Sequence, residues 1–391
     1  MINIIRLLIL LSLGIFIAIF SYQNMKPVEI NFYQYTYKIP AFVLIFGCFI
    51  VGFSIPTIYY YFRNLSLNSE LNSMLKIFNL YSKGNFSNLL NLLKKQVKNK
   101  PYLSAFLSEI YVKTGKVDEG IRFFETLRQG VNSSFVELAL SKLYIKKNMY
   151  DEALMCLRQS ISYDFKNLKA HRLLRDISFL KGNLPEAIAV QRNILKIVDK
   201  EFSKKEGVIM GNLLAYSSLY EKELKERERL VKEALRYVKN PLTVTAGILL
   251  NMEKGKEGHA QQLFEESFNN DFHNHVVAFL LNYKDKLPYF LNIIREKEGN
   301  FNLEILVRAY LELNVFEPLK EKVEKLPVHL RAMVEAGESH VSKDKLCFDA
   351  LKEVYKLWEC KCCGASYKFY KPMCEKCFEW NCIDLITEGR N

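Results

Sequence analysis

Ile110-Tyr-Val-Lys-Thr-Gly-Lys-Val-Asp-Glu-Gly-Ile121 decides how this chain is read, because two copies follow it: Leu143-Tyr-Ile-Lys-Lys-Asn-Met-Tyr-Asp-Glu-Ala-Leu154 and Ile177-Ser-Phe-Leu-Lys-Gly-Asn-Leu-Pro-Glu-Ala-Ile188. In each copy an apolar, helix-compatible stretch stops at a residue that tolerates the left-handed backbone of a helix C-terminus: Gly115, Asn148 or Gly182. A second helix then opens on Asp118, Asp151 or Pro185, since acids and proline suit a first helical turn. A small residue comes next, Gly120, Ala153 or Ala187, and lets the two helices of a pair approach closely. These small residues are spaced 33 and 34 apart.

That spacing is the tetratricopeptide period. The expected fold is all-α, a tetratricopeptide-type solenoid of stacked helix pairs over residues 66–345. Lys83-Gly84-Asn85-Phe86 reads as an earlier, degenerate copy. Beyond Asp199 the period fades while the helical character persists. Glu253-Lys-Gly255 with His259-Ala260, and Leu311-Glu-Leu-Asn314-Val-Phe316, read as turns of divergent repeats, with irregular helical packing as the alternative. Stacked pairs build a groove lined by their first helices, suited to holding another protein. On one such helix Arg172 and Arg175 lie a turn apart, either meeting an acidic partner or forming a solvated face. Glu221 to Glu233 is densely charged and reads as a solvated helix face.

Toward the N-terminus the composition changes. Ile2 to Phe20 is apolar but for Asn3, Arg6 and Ser12, and Ile39 to Tyr61 is a second apolar run. Both are long enough to cross a bilayer as helices. Phe20-Ser21-Tyr22 offers no small-residue cleavage site, so a retained two-helix transmembrane hairpin over residues 1–65 is expected rather than a signal peptide. Between Arg63 and Lys100 stand seven basic residues against one acid, Glu70. Basic residues stay on the cytoplasmic side, which predicts both termini inside. The same clustering accounts for much of the net charge of +12 through topology and anionic headgroups rather than nucleic acid.

At the other end, residues 346–391 contain Trp358 to Cys382, WECKCCGASYKFYKPMCEKCFEWNC. Cys360/Cys363 and Cys374/Cys377 are two Cys-x-x-Cys turns, each holding two thiolates on one edge of a tetrahedron. Together they suit one zinc ion, or an iron in a rubredoxin-type centre, with no position left for water or substrate. A disulfide or redox pair is the alternative reading. Gly364 fits the positive φ that the first turn needs. Cys362 and Cys382 either replace a ligand or stand by as spare thiols. Six of the nine cysteines crowd between Cys360 and Cys382, which fits a reducing compartment where metal binding prevails over disulfides. His273-Asn-His275 reads as a surface turn for want of a third ligand, and His171, His259, His329 and His340 are scattered. No phosphate-binding loop, nucleophile elbow or zinc-protease motif is present, so no enzyme is expected.

The order of anchor, repeats and four-cysteine tail resembles the lipopolysaccharide assembly protein B family of Gram-negative bacteria. Gly115-Lys-Val-Asp-Glu-Gly-Ile-Arg122 looks like that family's first well-formed repeat turn. Cys360-x-x-Cys363-Gly364 with Cys374-x-x-Cys377-x-x-Trp380 is similar to its rubredoxin-like tail. The likeness covers roughly residues 75 to 385. That family usually has one membrane helix. The hairpin here, with Gln23-Asn24 and Pro27-Val-Glu-Ile-Asn-Phe32 between its spans, resembles lipopolysaccharide assembly protein A, as in a natural fusion of the two. The resemblance implies an inner-membrane adaptor that regulates lipopolysaccharide synthesis by assisting the membrane protease FtsH against the lipid A-committing deacetylase. It further implies a metal knuckle docked against the last helices. The alternatives are a scaffold for lipopolysaccharide assembly proteins without a protease, and a rubredoxin-like electron carrier.

Overall fold

Six times among the described residues, a first helix stops on a residue held at positive φ: Gly84 (68°), Gly115 (71°), Asn148 (60°), Gly182 (75°), Gly255 (66°) and Asn314 (54°). In every case the next amide donates back five residues, from Asn85 to Leu80, Lys116 to Tyr111, Met149 to Tyr144, Asn183 to Ser178, Lys256 to Asn251 and Val315 to Tyr310, at 2.8–2.9 Å. This 6→1 bond is the Schellman closure of a helix end. The structure, a computed structural model, describes residues 2–33, 35–320, 323–326, 330–332, 334–335 and 356–386. The expected boundary at 345/346, His329 and His340 lie outside them.

The chain divides into two compact units, Met1–Lys95 and Gln96–Asn391. In the first, helix α1 (Ile2–Gln23) leads into an antiparallel β-hairpin of β1 (Pro27–Phe32) and β2 (Tyr35–Pro40), then α2 (Ala41–Ser82) and α3 (Phe86–Val97). Register pairs Glu29 with Lys38, whose side chains form an exposed 2.8 Å ion pair. Helix α2 has 42 residues, about 63 Å at the usual rise. It is the one helix, among the described residues, long and apolar enough to cross a membrane. The apolar stretch found in α1, Gly14–Gln23, is shorter. Past its apolar half, α2 continues without a break to the Gly84 turn, so its last turns serve as the first helix of the first pair and α3 as the second.

The second unit stacks pairs α4 (Ser104–Lys113) and α5 (Val117–Arg128), α6 (Ser134–Lys146) and α7 (Tyr150–Tyr163), α8 (Leu168–Leu180) and α9 (Leu184–Ile197). Then come α10 (Lys200–Tyr220) with α11 (Leu224–Tyr237), α12 (Pro241–Glu253) with α13 (Glu257–Asn269), and α14 (His273–Leu280). Small residues set the pair spacing as expected. A Cβ on Gly120 would stand 2.8 Å from Tyr111 Cγ, and Ala153, Ala187 and Ala260 have no exposed surface. Beyond α14 the elements shorten: α15 (Leu291–Glu296), α16 (Leu303–Glu312) and α17 (Glu317–Lys320), with 3-10 turns between. Divergent repeats and irregular packing each describe part of this region.

The tail is a three-stranded antiparallel sheet in the order β4-β3-β5, made of β3 (Trp358–Cys360), β4 (Ser366–Tyr367) and β5 (Ile383–Leu385). Trp358, the largest fully buried side chain of the unit, lies at its centre.

Candidate metal centre

Two knuckles of the same backbone design face each other. In the first, the Gly364 amide donates to Cys360 O at 2.8 Å, with Gly364 at φ 71°. In the second, the Phe378 amide donates to Cys374 O at 2.8 Å, with Phe378 at φ 62°. The Cys360 amide reaches Ala365 O and the Cys374 amide reaches Glu379 O. The amides of Ala365 and Glu379 in turn point at the sulfurs of Cys363 and Cys377. A phenylalanine therefore holds the left-handed position that glycine holds in the first knuckle, at a cost of about 1–2 kcal/mol.

The four sulfurs lie within 4.8 Å of one another, with Cys360–Cys377 and Cys363–Cys374 each at 3.6 Å. Bonds of about 2.3 Å to a tetrahedral ion put sulfurs about 3.8 Å apart, so this cluster fits one such ion. Cys360 and Cys374 are buried, Cys363 and Cys377 half-buried, and every described cysteine is a free thiol. Burial alone would raise the Cys374 thiol. Tyr367 Oη at 3.0 Å, with the amides of Cys377 and Lys376, outweighs it and brings Cys374 down to about 6. Burial pushes Cys377 the other way. The donors favour the thiolate and burial opposes it, a cost that a bound cation would offset. Cys362 and Cys382 stand outside the group. Cys362 is exposed, while burial and the neighbouring Cys362 thiol push Cys382 up to about 12.

Among the described residues, polar contacts seat the tail on first helices from α8 to α14, and its core is shared with Leu319, Leu326, Leu330 and Val334 of the last elements. Trp380 donates its Nε1–H to Asp176 Oδ1 at 2.8 Å, meets Phe179 edge to face at 5.2 Å, and lies under the Arg175 guanidinium at 4.9 Å. Asn381 Oδ1 accepts from Asn212 of α10. Asp384 Oδ1 is 2.6 Å from His275 Nε2 of α14. Phe279 packs on Trp358 and Tyr370 at 5.0 and 4.8 Å. Phe378 adds apolar contact against the cores of both halves of the array.

This seat answers the histidine and arginine expectations differently. Arg175 is 3% exposed and neither solvated nor turned to a partner. It bonds Asp176, Gln191 and Glu206 at 2.8, 2.8 and 3.2 Å, while Arg172 also reaches Glu206. His273 is no surface residue: it opens α14, buried, stacked on Phe268 at 4.5 Å and 2.8 Å from Asn300 O. His275 holds the tail. Residues that sequence reasoning passed over, Asp176, Asn212 and Phe279, carry the seat, and no local signal marks them.

No protein-family model and no curated protein matches the chain. Among solved structures it is similar to MamA at 18% identity, covering 41% of this chain and 92% of that one, with a TM-score of 0.32. It is similar to a tetratricopeptide repeat protein from Parabacteroides merdae at 13% identity, covering 72% and 97%, with a TM-score of 0.33. The C-terminal part of a TPR repeat-containing protein from Cytophaga hutchinsonii gives 18% identity, 65% and 99% coverage, and a TM-score of 0.38. At these scores the helix-pair architecture rests on the chain's own Schellman turns.

Proposed function

We propose that this chain is a membrane-anchored adaptor of the kind its resemblance to lipopolysaccharide assembly protein B implies, holding a client beside the protease FtsH so that the lipid A-committing deacetylase is degraded. The observation that carries this reading is α2, one unbroken helix whose first half is apolar enough to cross a bilayer and whose last turns belong to the first helix pair. A protein-holding array on the same chain as a membrane helix raises the effective concentration of its cargo beside a membrane enzyme.

Aromatic residues flank the apolar half of α2. Exposed Tyr33, Tyr35 and Tyr37 stand before it, and Tyr59, Tyr60, Tyr61 and Phe62 after it. Tyr and Trp concentrate at the two membrane interfaces, and the residues between, Ala41 to Ile58, rise about 27 Å, close to the hydrocarbon thickness. With α1 as the companion span, the basic residues after Arg63 put the array in the cytoplasm. Zinc, or iron, held by Cys360, Cys363, Cys374 and Cys377 supplies cross-linking that a piece this small needs to fold. Its role is to keep the tail in its seat.

The test is the half-life of the deacetylase after depletion of this protein in its own host. Persistence and accumulation of the deacetylase is expected. Unchanged turnover would overturn the adaptor reading.

A further inference from the structure

Past its bilayer-length half, α2 carries a second pattern. Tyr60, Asn64, Leu67, Leu71, Met74, Phe78 and Tyr81 stand four and three residues apart by turns, over three heptads. Such a row keeps to one side of a helix that winds about a partner, at the a and d positions of a coiled coil. None of the seven is charged. Leu67, Leu71 and Phe78 are 55%, 58% and 69% exposed, while Ile77, off this row, is buried. Lipid does not cover the row: it climbs about 31 Å from Tyr60 along an unbroken helix, and the headgroup layer beyond the hydrocarbon is only about 5–8 Å deep.

We propose that α2 pairs with α2 of a second copy of this chain, as a parallel two-stranded coiled coil from Tyr60 to Tyr81. Both helices leave the bilayer on the same side, which sets the parallel sense; to that extent the pairing rests on α2 as the membrane span, and not on which proteins the array serves. In a parallel pair like positions meet, so Leu67 faces Leu67 and Asn64 faces Asn64. A single Asn at an a position bonds its own copy across a two-stranded seam and penalises slipped registers and larger bundles, at some cost in stability. An uncharged row with this spacing is complementary to itself. It leaves about 600 Å² of mostly apolar surface on each copy, so a pair would bury about 1,200 Å², the lower end of the range for a stable interface. Holding both copies in one membrane raises their effective concentration, so an interface of that size suffices. The pair carries two arrays on one stem.

The test uses the full chain in lipid vesicles at high lipid excess, with mild oxidation by copper phenanthroline. L67C puts a thiol on the seam and S69C puts one on the far side of the same helix. L67C chains are expected to join as dimers, and S69C chains no more than the parent, whose own cysteines set the background. Carried on L67C, L71K/F78K should abolish the dimer, whereas L65K/N72K, the same change in charge off the seam, should keep it. Tryptophan emission unchanged in both confirms that the tail is still seated. N64V should tighten the association and let larger bundles appear. Equal cross-linking at positions 67 and 69, dimers that survive L71K/F78K, or no L67C dimer above background would overturn the pairing. Protease protection of the apolar half of α2 in the same vesicles checks the span separately. Loss of that protection removes the membrane reading and the parallel sense with it, while protection without an L67C cross-link overturns the pairing alone.

Discussion

Trp380 is the side chain on which seating of the tail is most exposed to test. It is 8% exposed, with its ring between Phe179 and Arg175 and its N–H on the buried Asp176. Replacing it with Phe keeps most of the ring contact and removes one hydrogen bond to a charged acceptor, worth about 1.5–3 kcal/mol. Replacing it with Ala removes the ring as well, and truncating a buried aromatic costs about 3–5 kcal/mol. The chain contains only two tryptophans, so in either variant Trp358 is the sole indole. It is fully buried against Phe279 and Tyr370, and its emission reports whether the tail is seated. In urea titrations of the metal-loaded protein, W380A should lose the blue-shifted Trp358 emission earlier than W380F. A gap of about 3 kcal/mol corresponds to roughly a hundredfold change in the ratio of seated to unseated tail. Coincident transitions for the two variants would show that the Trp380 ring does not hold the seat, and the reasoning would fail.

Other perturbations read different parts of the same design. Because Phe378 sits at φ 62°, F378G should be less destabilising than F378A by about 1 kcal/mol in thermal unfolding, the reverse of their order at an ordinary helix position. G120A should destabilise the array by about 1–3 kcal/mol through overpacking against Tyr111; an unchanged melting temperature would mean the pair can spread at no cost. The Asp384 carboxylate is held below its usual range by His275 first, against burial, with help from the Leu385 amide and Lys361. Its contribution is therefore fully present above about pH 4, the ordinary aspartate value, and lost as pH falls through its lowered value. D384N should flatten that acid limb of the Trp358 signal, and an identical limb in both proteins would remove Asp384 from the account. Elemental analysis should find one zinc or iron per chain, with a red protein marking iron. C363S should release the metal and expose Trp358 while leaving the far-ultraviolet helical signal of the array in place.

The repeat turns were legible because each needs a residue that tolerates positive φ. Gly84, Gly115, Asn148, Gly182, Gly255 and Asn314 are all visible as letters. The second half of the array hid where that letter is missing: α10 runs 21 residues to Tyr220, and no glycine or asparagine marks its turn into α11. The β-hairpin went unread because its turn carries Tyr33 at φ 55° rather than glycine or asparagine, and its strands adjoin apolar runs that dominate the pattern. The pairing of the four clustered cysteines was legible from spacing alone. Their seat was not, since Trp380 and Asp176 are 204 positions apart and Asn381 and Asn212 are 169 apart. Arg175 looked like a surface charge because nothing local shows that Glu206, Gln191 and an indole close over it.

The unbroken run of α2 makes the protein sensitive to rotational phase. A helix advances about 100° and 1.5 Å per residue, so the direction in which the first helix pair faces is counted off residue by residue from the apolar half. Two residues added near Asn68 would turn α3 by about 200° about the axis of α2. Four would bring it back to within about 40°, at the expense of about 6 Å of height. A set of one- to seven-residue insertions would then step the facing of α3 about the α2 axis with the helical repeat, as a gear steps with the number of its teeth.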